Sequence, residues 1–310
     1  MRYIATFPAG CYEVIARQLK QFKVEDIKII SHDFSSVSFD SSLRKEKLIE
    51  LRFFTNVFLI LDETKLASFR QLIQNPGYRL MAITKGEPTQ IEEHKRARLI
   101  ALIEAELKLQ PNLKNPVDIV LIKRAGEEEV LTLRLPRAKH KREELPAGSL
   151  RPELAHIMLL LAGVKSKDTI LDPFAGYGSI PVEAVRGFGL KHVLAVEHDA
   201  TLAQALIGKG FQVTQDDASK LSTIPDESVD RVVTDPPWGI FDSTEDQPDL
   251  YQQSLVAIKR VLRHRGVAVI LSGSGVLDQV INDTNDLSRL KVLNVLVSGK
   301  KANLIKVQRD

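Results

Sequence analysis

The sequence predicts an α/β protein, with a doubly wound, mainly parallel sheet in its second half and a smaller α+β region in its first. Three observations carry this. From Arg151 onward, apolar strand-like runs alternate with helical stretches, and that alternation demands right-handed crossovers and a mainly parallel sheet. The first sixty residues run strand, helix, strand, strand, helix, strand. The last two strand candidates are joined only by Ser298-Gly299-Lys300-Lys301, too short for a crossover, so they must pair antiparallel.

Taken in order, strand Arg2 to Phe7, helix Cys11 to Gln21, strands Asp26 to Ser31 and Phe34 to Asp40, helix Ser42 to Leu51 and strand Asn56 to Leu61 give a βαββαβ, ferredoxin-like unit. Ser41-Ser42 is the expected N-cap of its second helix. A helix from Lys65 to Gln74 is stopped by Asn75-Pro76-Gly77. A second small unit follows: a strand near Arg79 to Thr84, a long helix from Gln90 to Leu109, and strands Val117 to Lys123 and Glu129 to Leu135 around a hairpin tip at Gly126-Glu127-Glu128. The long helix is expected to bury Ile91, Leu99, Leu102, Ile103 and Leu107 and to expose His94, Lys95, Arg96 and Arg98. With Glu92 and Glu93 beside them, those cations read more readily as a solvated face than as phosphate ligands. Arg137-Ala138-Lys139-His140-Lys141-Arg142, ending near Pro146-Ala147-Gly148, is the connector between halves. Its cations suit a phosphate backbone, held without reading sequence, and equally suit a charged linker.

The second half opens with a helix from Arg151 to Leu161, with Pro152 in its first turn. Strand candidates follow at Thr169 to Leu171, His192 to Val196, Gln212 to Thr214, Val229 to Val233, Val267 to Leu271, Leu290 to Val297 and Ala302 to Val307. Helices from Ser179, Asp199, Gln247 and Val276 separate them.

Composition bounds the partners. The 310 residues allow two domains with ordinary soluble composition. The longest apolar stretch, Ile157 to Val164, is far short of the roughly 20 residues that span a bilayer, and Met1-Arg2 leads into no signal-peptide core, so a cytoplasmic protein is expected. A single cysteine, Cys11, excludes an internal disulfide and a cysteine-cluster metal site. Residues 1–150 carry 25 Lys and Arg against 20 Asp and Glu, and residues 151–310 carry 18 against 20. A basic half beside a slightly acidic one fits an RNA-docking module next to a catalytic one.

The chemistry gathers at strand ends. The first strand of the second half runs into Asp172-Pro173-Phe174-Ala175-Gly176-Tyr177-Gly178-Ser179, where Gly176 and Gly178 permit a tight turn and a close ligand. A carboxylate in that cradle disfavours pyrophosphate and favours a cationic or zwitterionic ligand. The second ends in Glu197-His198-Asp199: Glu197 suits the two hydroxyls of a ribose, Asp199 suits a helix cap, and His198 suits the lining of an adenine site. The third ends in Asp216-Asp217-Ala218, where Asp217 suits an adenine amino group and Asp216 is its solvated neighbour. The fourth runs into Thr234-Asp235-Pro236-Pro237-Trp238-Gly239. Two prolines cannot continue a central strand, so they force the backbone out of the sheet and stiffen it. Asp235 and Trp238 then set an acceptor beside a flat apolar plate. A planar heterocycle could stack on the indole and donate its amino N–H bonds to Asp235 and the Pro236 carbonyl.

The order Asp-Pro-Phe-Ala-Gly-x-Gly, acidic second strand end, Asp-Ala and Asp-Pro-Pro-Trp-Gly resembles class I S-adenosylmethionine-dependent methyltransferases of exocyclic amines. Leu150-Arg151-Pro152-Glu153-Leu154-Ala155 ahead of the glycine turn narrows the resemblance to RNA guanine-2-amino methyltransferases with an N-terminal ferredoxin-like and THUMP region and a UPF0020-type catalytic domain. The likeness covers residues 137–310, and Phe7-Pro8-Ala9-Gly10 extends it forward. Glu143-Glu144-Leu145 departs from that family's Gly-Tyr-Arg-type continuation, and residues 78–135 are short for a complete THUMP domain.

What the resemblance implies is a ferredoxin-like domain at 1–76, a short THUMP-like RNA-binding region at 77–136, a basic linker at 137–150 and a Rossmann-like methyltransferase domain at 151–310. S-adenosylmethionine would meet Asp172, Phe174, Ala175, Gly176, Gly178, Glu197, His198, Asp217, Ala218 and Asp235. Catalysis would fall to Asp235, Pro236, Pro237 and Trp238. RNA, tRNA foremost, would meet Arg137, Lys139, Lys141, Arg142 and Arg151, with no metal required and a partner subunit or homodimer left open. Two other readings stay open at this level: an adenine-6-amino methyltransferase on DNA or RNA, which the amine motif does not separate from a guanine enzyme, and an inactive RNA-binding scaffold with the same fold. The intact set of acids argues against the scaffold. A nicotinamide dehydrogenase would leave the proline-proline-tryptophan turn without a part.

Overall fold

A computed structural model describes residues 1–23, 26–137, 146, 148–238, 247–273, 276–284 and 286–310. The chain forms two compact units, residues 1–7 with 16–142 and residues 8–15 with 143–310.

The first half runs β1 (Arg2–Thr6), α1 (Tyr12–Leu19), β2 (Ile27–His32), β3 (Ser36–Ser41), α2 (Lys45–Glu50), β4 (Asn56–Ile60), a 3₁₀ segment (Glu63–Leu72), β5 (Gly77–Thr84), β6 (Glu87–Thr89), α3 (Glu93–Leu107), β7 (Gln110–Pro111), β8 (Val117–Lys123) and β9 (Glu129–Arg134). Its sheet has the order β2-β3-β1-β4-β9-β8-β5-β6, with β7 beside β5. The first four strands take the ferredoxin-like order that βαββαβ requires. β4 then pairs antiparallel with β9, Phe58 opposite Arg134, so the second βα unit extends the same sheet.

Several local expectations need correction here. Ser41 does not cap α2, because it still belongs to β3 and its hydroxyl donates to the Asp26 carbonyl; the helix starts at Lys45, after Arg44, with no side-chain cap. The expected helix from Lys65 is a 3₁₀ segment that starts at Glu63, because Asp62 accepts the Thr64 N–H, and Lys65 is non-helical inside it. The structure adds β6, which no sequence pattern announces: Lys85 and Gly86 both take positive φ, which suits the two-residue hairpin turn to β5. In α3, Leu99, Ile103 and Leu107 are buried, but Ile91 precedes the helix and Leu102 is only half-buried. Lys95 and Arg98 pair with Glu129 and Glu63, as a structural face does.

The second half runs α4 (Pro152–Ala162), β10 (Thr169–Asp172), α5 (Ser179–Phe188), β11 (His192–Glu197), α6 (Ala200–Leu206), β12 (Gln212–Gln215), β13 (Val229–Thr234), α7 (Gln247–Val261), β14 (Leu262–Ser272), α8 (Val276–Asp283), β15 (Leu287–Val297) and β16 (Lys300–Arg309). The sheet order is β12-β11-β10-β13-β14-β16-β15, the first five strands parallel and β16 antiparallel to both neighbours. Ser298 and Gly299, both at positive φ, close the expected C-terminal hairpin. β14 begins at Leu262 rather than Val267; the polar run Arg263-His264-Arg265 hides its first residues from an apolar-pattern reading.

The core explains the arrangement. Leu171, Val196, Val232, Ala268, Ile270 and Ile305 meet the buried faces of α7 and α8 in one apolar cluster. α4 is apolar on nearly every side, and Glu153 through Leu159 are all buried, as an internal helix requires. From β10 the chain winds outward to β11 and β12, and from β13 it winds the other way to β14. The winding therefore reverses between β10 and β13, and open α/β sheets take their ligands in the crevice at that reversal.

Candidate active site

Asp172 ends β10 and Thr234 ends β13, and the two strands are parallel neighbours. The side chains meet there. The Thr234 hydroxyl donates to Asp172 Oδ1 at 2.7 Å and the Phe174 N–H donates to the same oxygen at 3.2 Å. Oδ2 has no protein donor among the described residues. Asp172 is 2% exposed. Burial pushes its carboxyl up to about 7, the two hydrogen bonds oppose that rise, and the acids Asp235 and Glu197 add to it.

The glycine turn is pinned from below. Ala175 N–H donates to the Val196 carbonyl at 3.0 Å, and Gly178, at φ +83, opens α5. A left-handed residue at that position lets the chain reverse directly into the helix. Glu197 does more than the sequence suggested. Its Oε2 accepts the Gly176 N–H at 2.7 Å and its Oε1 accepts the Asp199 N–H at 2.9 Å, so it ties the glycine turn to the end of β11 and keeps further lone pairs for a ligand.

Asp199 caps α6 as expected, taking the Thr201 and Leu202 N–H groups at 2.7 and 2.9 Å. His198 is exposed, and its carbonyl accepts from Gln215 Nε2. Hydrogen bonds from the Ser219 hydroxyl and N–H hold the Asp217 carboxyl below the usual range. Asp216 is not the solvated neighbour expected: it is half-buried, and despite that burial, bonds from Thr223 and from the Asp217 N–H hold its carboxyl low too. Ala175 and Ala218 are buried and Phe174 is half-buried.

The amine motif is braced on three sides. Trp238 Nε1–H donates to Asp235 Oδ1 at 2.8 Å, leaving Oδ2 without a protein donor among the described residues. Burial pushes the Asp235 carboxyl up to about 7 against that bond. Pro236 is buried and Pro237 exposed, and the Pro237 carbonyl accepts from Tyr251 Oη at 2.6 Å. Tyr251, on α7, is 2% exposed. Behind the indole lies Gly273, just past β14: a Cβ there would stand 2.4 Å from Trp238 Cε3. The sequence names Thr234 within the amine motif without giving it a role, and it gives Tyr251 and Gly273 none. The adjacency of Thr234 to Asp235 and the Ser272-Gly273 end of the fifth strand were the only available signals.

Gly273→Ala should therefore push the indole out of place. Trp238 is the single tryptophan of the chain, so the check is direct: its emission should shift to the red, and stability should fall by about 1–3 kcal/mol, the usual range for overpacking.

Of the expected RNA contacts, Arg151 is exposed at the start of α4. Arg137 is exposed in the first unit, where it lines a cleft with Lys45, Asp118 and Arg134. Lys139, Lys141 and Arg142 lie outside the described residues, as does Gly239. Among the described residues no cluster of three or more His, Cys, Asp or Glu could hold a metal ion, and no helix is long and apolar enough to cross a membrane.

Comparison with known proteins agrees with this geometry. Residues 139–188 and 185–303 match the family described as RMKL-like, methyltransferase domain (UPF0020). A tRNA (guanine(10)-N2)-dimethyltransferase of Methanothermobacter thermautotrophicus is 34% identical over 173 residues, 50% of this chain and 50% of that protein. A tRNA (guanine(6)-N2)-methyltransferase of Thermus thermophilus is 28% identical over 177 residues, 53% of this chain and 52% of that protein. The chain thus spans about half the length of the curated relatives it matches. The crystal structure of TrmN from Thermus thermophilus superposes with a TM-score of 0.79 at 20% identity, over 100% of this chain and 99% of that one, and so shares its fold. The glycine turn, the ordered strand-end acids and the Asp-Pro-Pro-Trp bend all lie inside the matched span, which covers more than half of the sequence, and the chain accordingly belongs to the UPF0020 family of RMKL-like methyltransferase domains.

Proposed function

We propose that this protein is an S-adenosylmethionine-dependent methyltransferase acting on the exocyclic 2-amino group of a guanosine in RNA, with tRNA as the substrate class. One observation carries the reading: Asp172 and Asp235, at the ends of adjacent strands, each have one carboxylate oxygen held by the chain and one without a protein donor among the described residues. The charged neighbours that raise Asp172, namely Asp235 and Glu197, are both acidic, so the crevice favours a cation, which fits this cofactor. When bound, S-adenosylmethionine supplies an electrophilic methyl group on a positively charged sulfur. Asp172 Oδ2 would face its cationic portion, Glu197 its ribose hydroxyls and Asp217 its adenine amino group. Asp235 Oδ2 would accept an N–H of the target amine, turning the nitrogen lone pair toward the crevice, while Trp238 stacks on a base extruded from its helix.

The tRNA guanine relatives support the choice of acceptor. RNA would be held by Arg137, Lys139, Lys141, Arg142 and Arg151, with residues 1–76 and 77–136 as the docking domains, 137–150 as linker and 151–310 as the catalytic domain, in a cytoplasmic enzyme. Mass spectrometry of nucleosides, after incubating the protein with labelled methyl donor and total RNA, tests donor, acceptor and product together. N2-methylated guanosine is expected. Methylated adenosine would overturn the guanine assignment, and absence of S-adenosylmethionine binding would overturn the enzyme. Glu197→Ala should weaken cofactor binding by about tenfold or more, as loss of charge-assisted bonds does, while changing the single-turnover rate at saturating cofactor far less; calorimetry against single-turnover rates reads the two separately.

A further inference from the structure

We propose that Thr234 is a positioning residue of the cofactor site: its hydroxyl favours the ionised form of Asp172 and fixes the carboxylate so that Oδ2 points to the ligand. The inference rests on the reading that this crevice takes S-adenosylmethionine, and it assigns a task to a residue that touches neither cofactor nor base.

Thr234 is fully buried at the last position of β13. Asp235 follows it, just past the strand end, and the two side chains do different work. Asp235 belongs to the amine motif, and the Thr234 hydroxyl reaches across to Asp172 Oδ1 at 2.7 Å. The Phe174 N–H is the other donor to that oxygen, at a longer 3.2 Å. Two donors on one oxygen set the rotation of the carboxylate and leave the second oxygen for whatever enters. They also stabilise negative charge where everything else opposes it: Asp172 is enclosed, and the charged neighbours that act on it, Glu197 at the end of β11 and Asp235 just past β13, are both acidic. A buried carboxylate in acidic company stays protonated unless donors or a cation offset the cost. Thr234 is the only side-chain donor to Asp172 among the described residues.

The test is equilibrium binding of S-adenosylmethionine alone, by calorimetry from about pH 5 to about pH 8, to wild type, Thr234→Val and Thr234→Ser, with thermal unfolding confirming that each is folded. Valine keeps the shape and removes the donor. The expected result is affinity at neutral pH at least about tenfold weaker for Thr234→Val, with its binding curve displaced to higher pH by about one unit. Thr234→Ser should follow wild type, and in an Asp172→Asn background, where no charge remains to stabilise, Thr234→Val should have a much smaller effect. If Thr234→Val does not fold, Thr234→Cys, a poor donor of similar size, takes its place under the same criterion. Coincident curves for wild type and the donor-less variant, or an undiminished effect in the Asp172→Asn background, overturn the proposal and leave Thr234 a packing residue. Failure of wild type to bind at any pH overturns instead the cofactor reading on which it rests.

Discussion

Asp235→Ala is expected to slow methyl transfer by about three orders of magnitude, within the range found when a positioned proton acceptor is removed, while leaving affinity for S-adenosylmethionine within several-fold. An aromatic amine is a poor nucleophile because its lone pair is delocalised into the ring. Catalysis must therefore come from holding the nitrogen so that the lone pair faces the methyl group, and Asp235 Oδ2 is an acceptor with no protein donor among the described residues. Alanine removes that acceptor and also strands the Trp238 N–H, which donates to Asp235 Oδ1. Asp235→Asn separates the two effects, since its amide oxygen can still accept from the indole while its charge and second acceptor are lost. Both variants should be slow in single turnover; only Asp235→Ala should also alter the emission of the lone tryptophan. Because burial works against the ionised Asp235, Asp235→Asn is not expected to be less stable than wild type without ligands, the usual signature of a side chain kept for function, whereas in Asp235→Ala the stranded indole N–H offsets that gain. A fully active Asp235→Ala protein would end the assignment.

How much of this was legible in the sequence follows from the range over which each signal acts. Helix starts at Ser179, Gln247 and Val276, and the C-terminal hairpin, agree with the structure because caps, periodicity and turn length are local. The strand-end acids were legible for the same reason: each sits next to the apolar run that places it. What lay hidden depends on neighbours distant in sequence. Pairing of β4 with β9 joins residues more than seventy positions apart, and no property of Phe58 or Arg134 announces it. Tyr251 looks like one more apolar position on a helix until its hydroxyl is seen on Pro237. Gly273 looks like a loop residue until the indole is seen lying against it. Glu197 reads from sequence as a ligand contact, and its bond to Gly176 shows that the same carboxylate first builds the turn.

Asp172→Asn should cost about one to two orders of magnitude in affinity for S-adenosylmethionine, the range for a lost hydrogen bond to a charged group, and should flatten most of the pH dependence of binding. In wild type, the Asp172 carboxyl is pushed up to about 7. A cation prefers the ionised form, so affinity should rise with pH through 7 and level off above it, with proton release on binding below that point; calorimetry in buffers of different ionisation enthalpy counts the protons. The sign for stability is the reverse. An unfolded aspartate titrates near about 3.9, so between there and 7 the folded protein binds a proton that the unfolded chain does not. The stability this contributes is complete below the unfolded value and is lost as pH climbs through 7. Asp235, also raised to about 7, acts in the same direction. Ligand-free protein should thus melt lower at pH 8 than at pH 6, and the rise in melting temperature on adding S-adenosylmethionine should be larger at pH 8, because the cation then meets a charge the fold has already been forced to carry. In Asp172→Asn the fall with pH should shrink, leaving the part due to Asp235. A ligand-induced melting shift that ignores pH in wild type would mean that Asp172 does not face the cation.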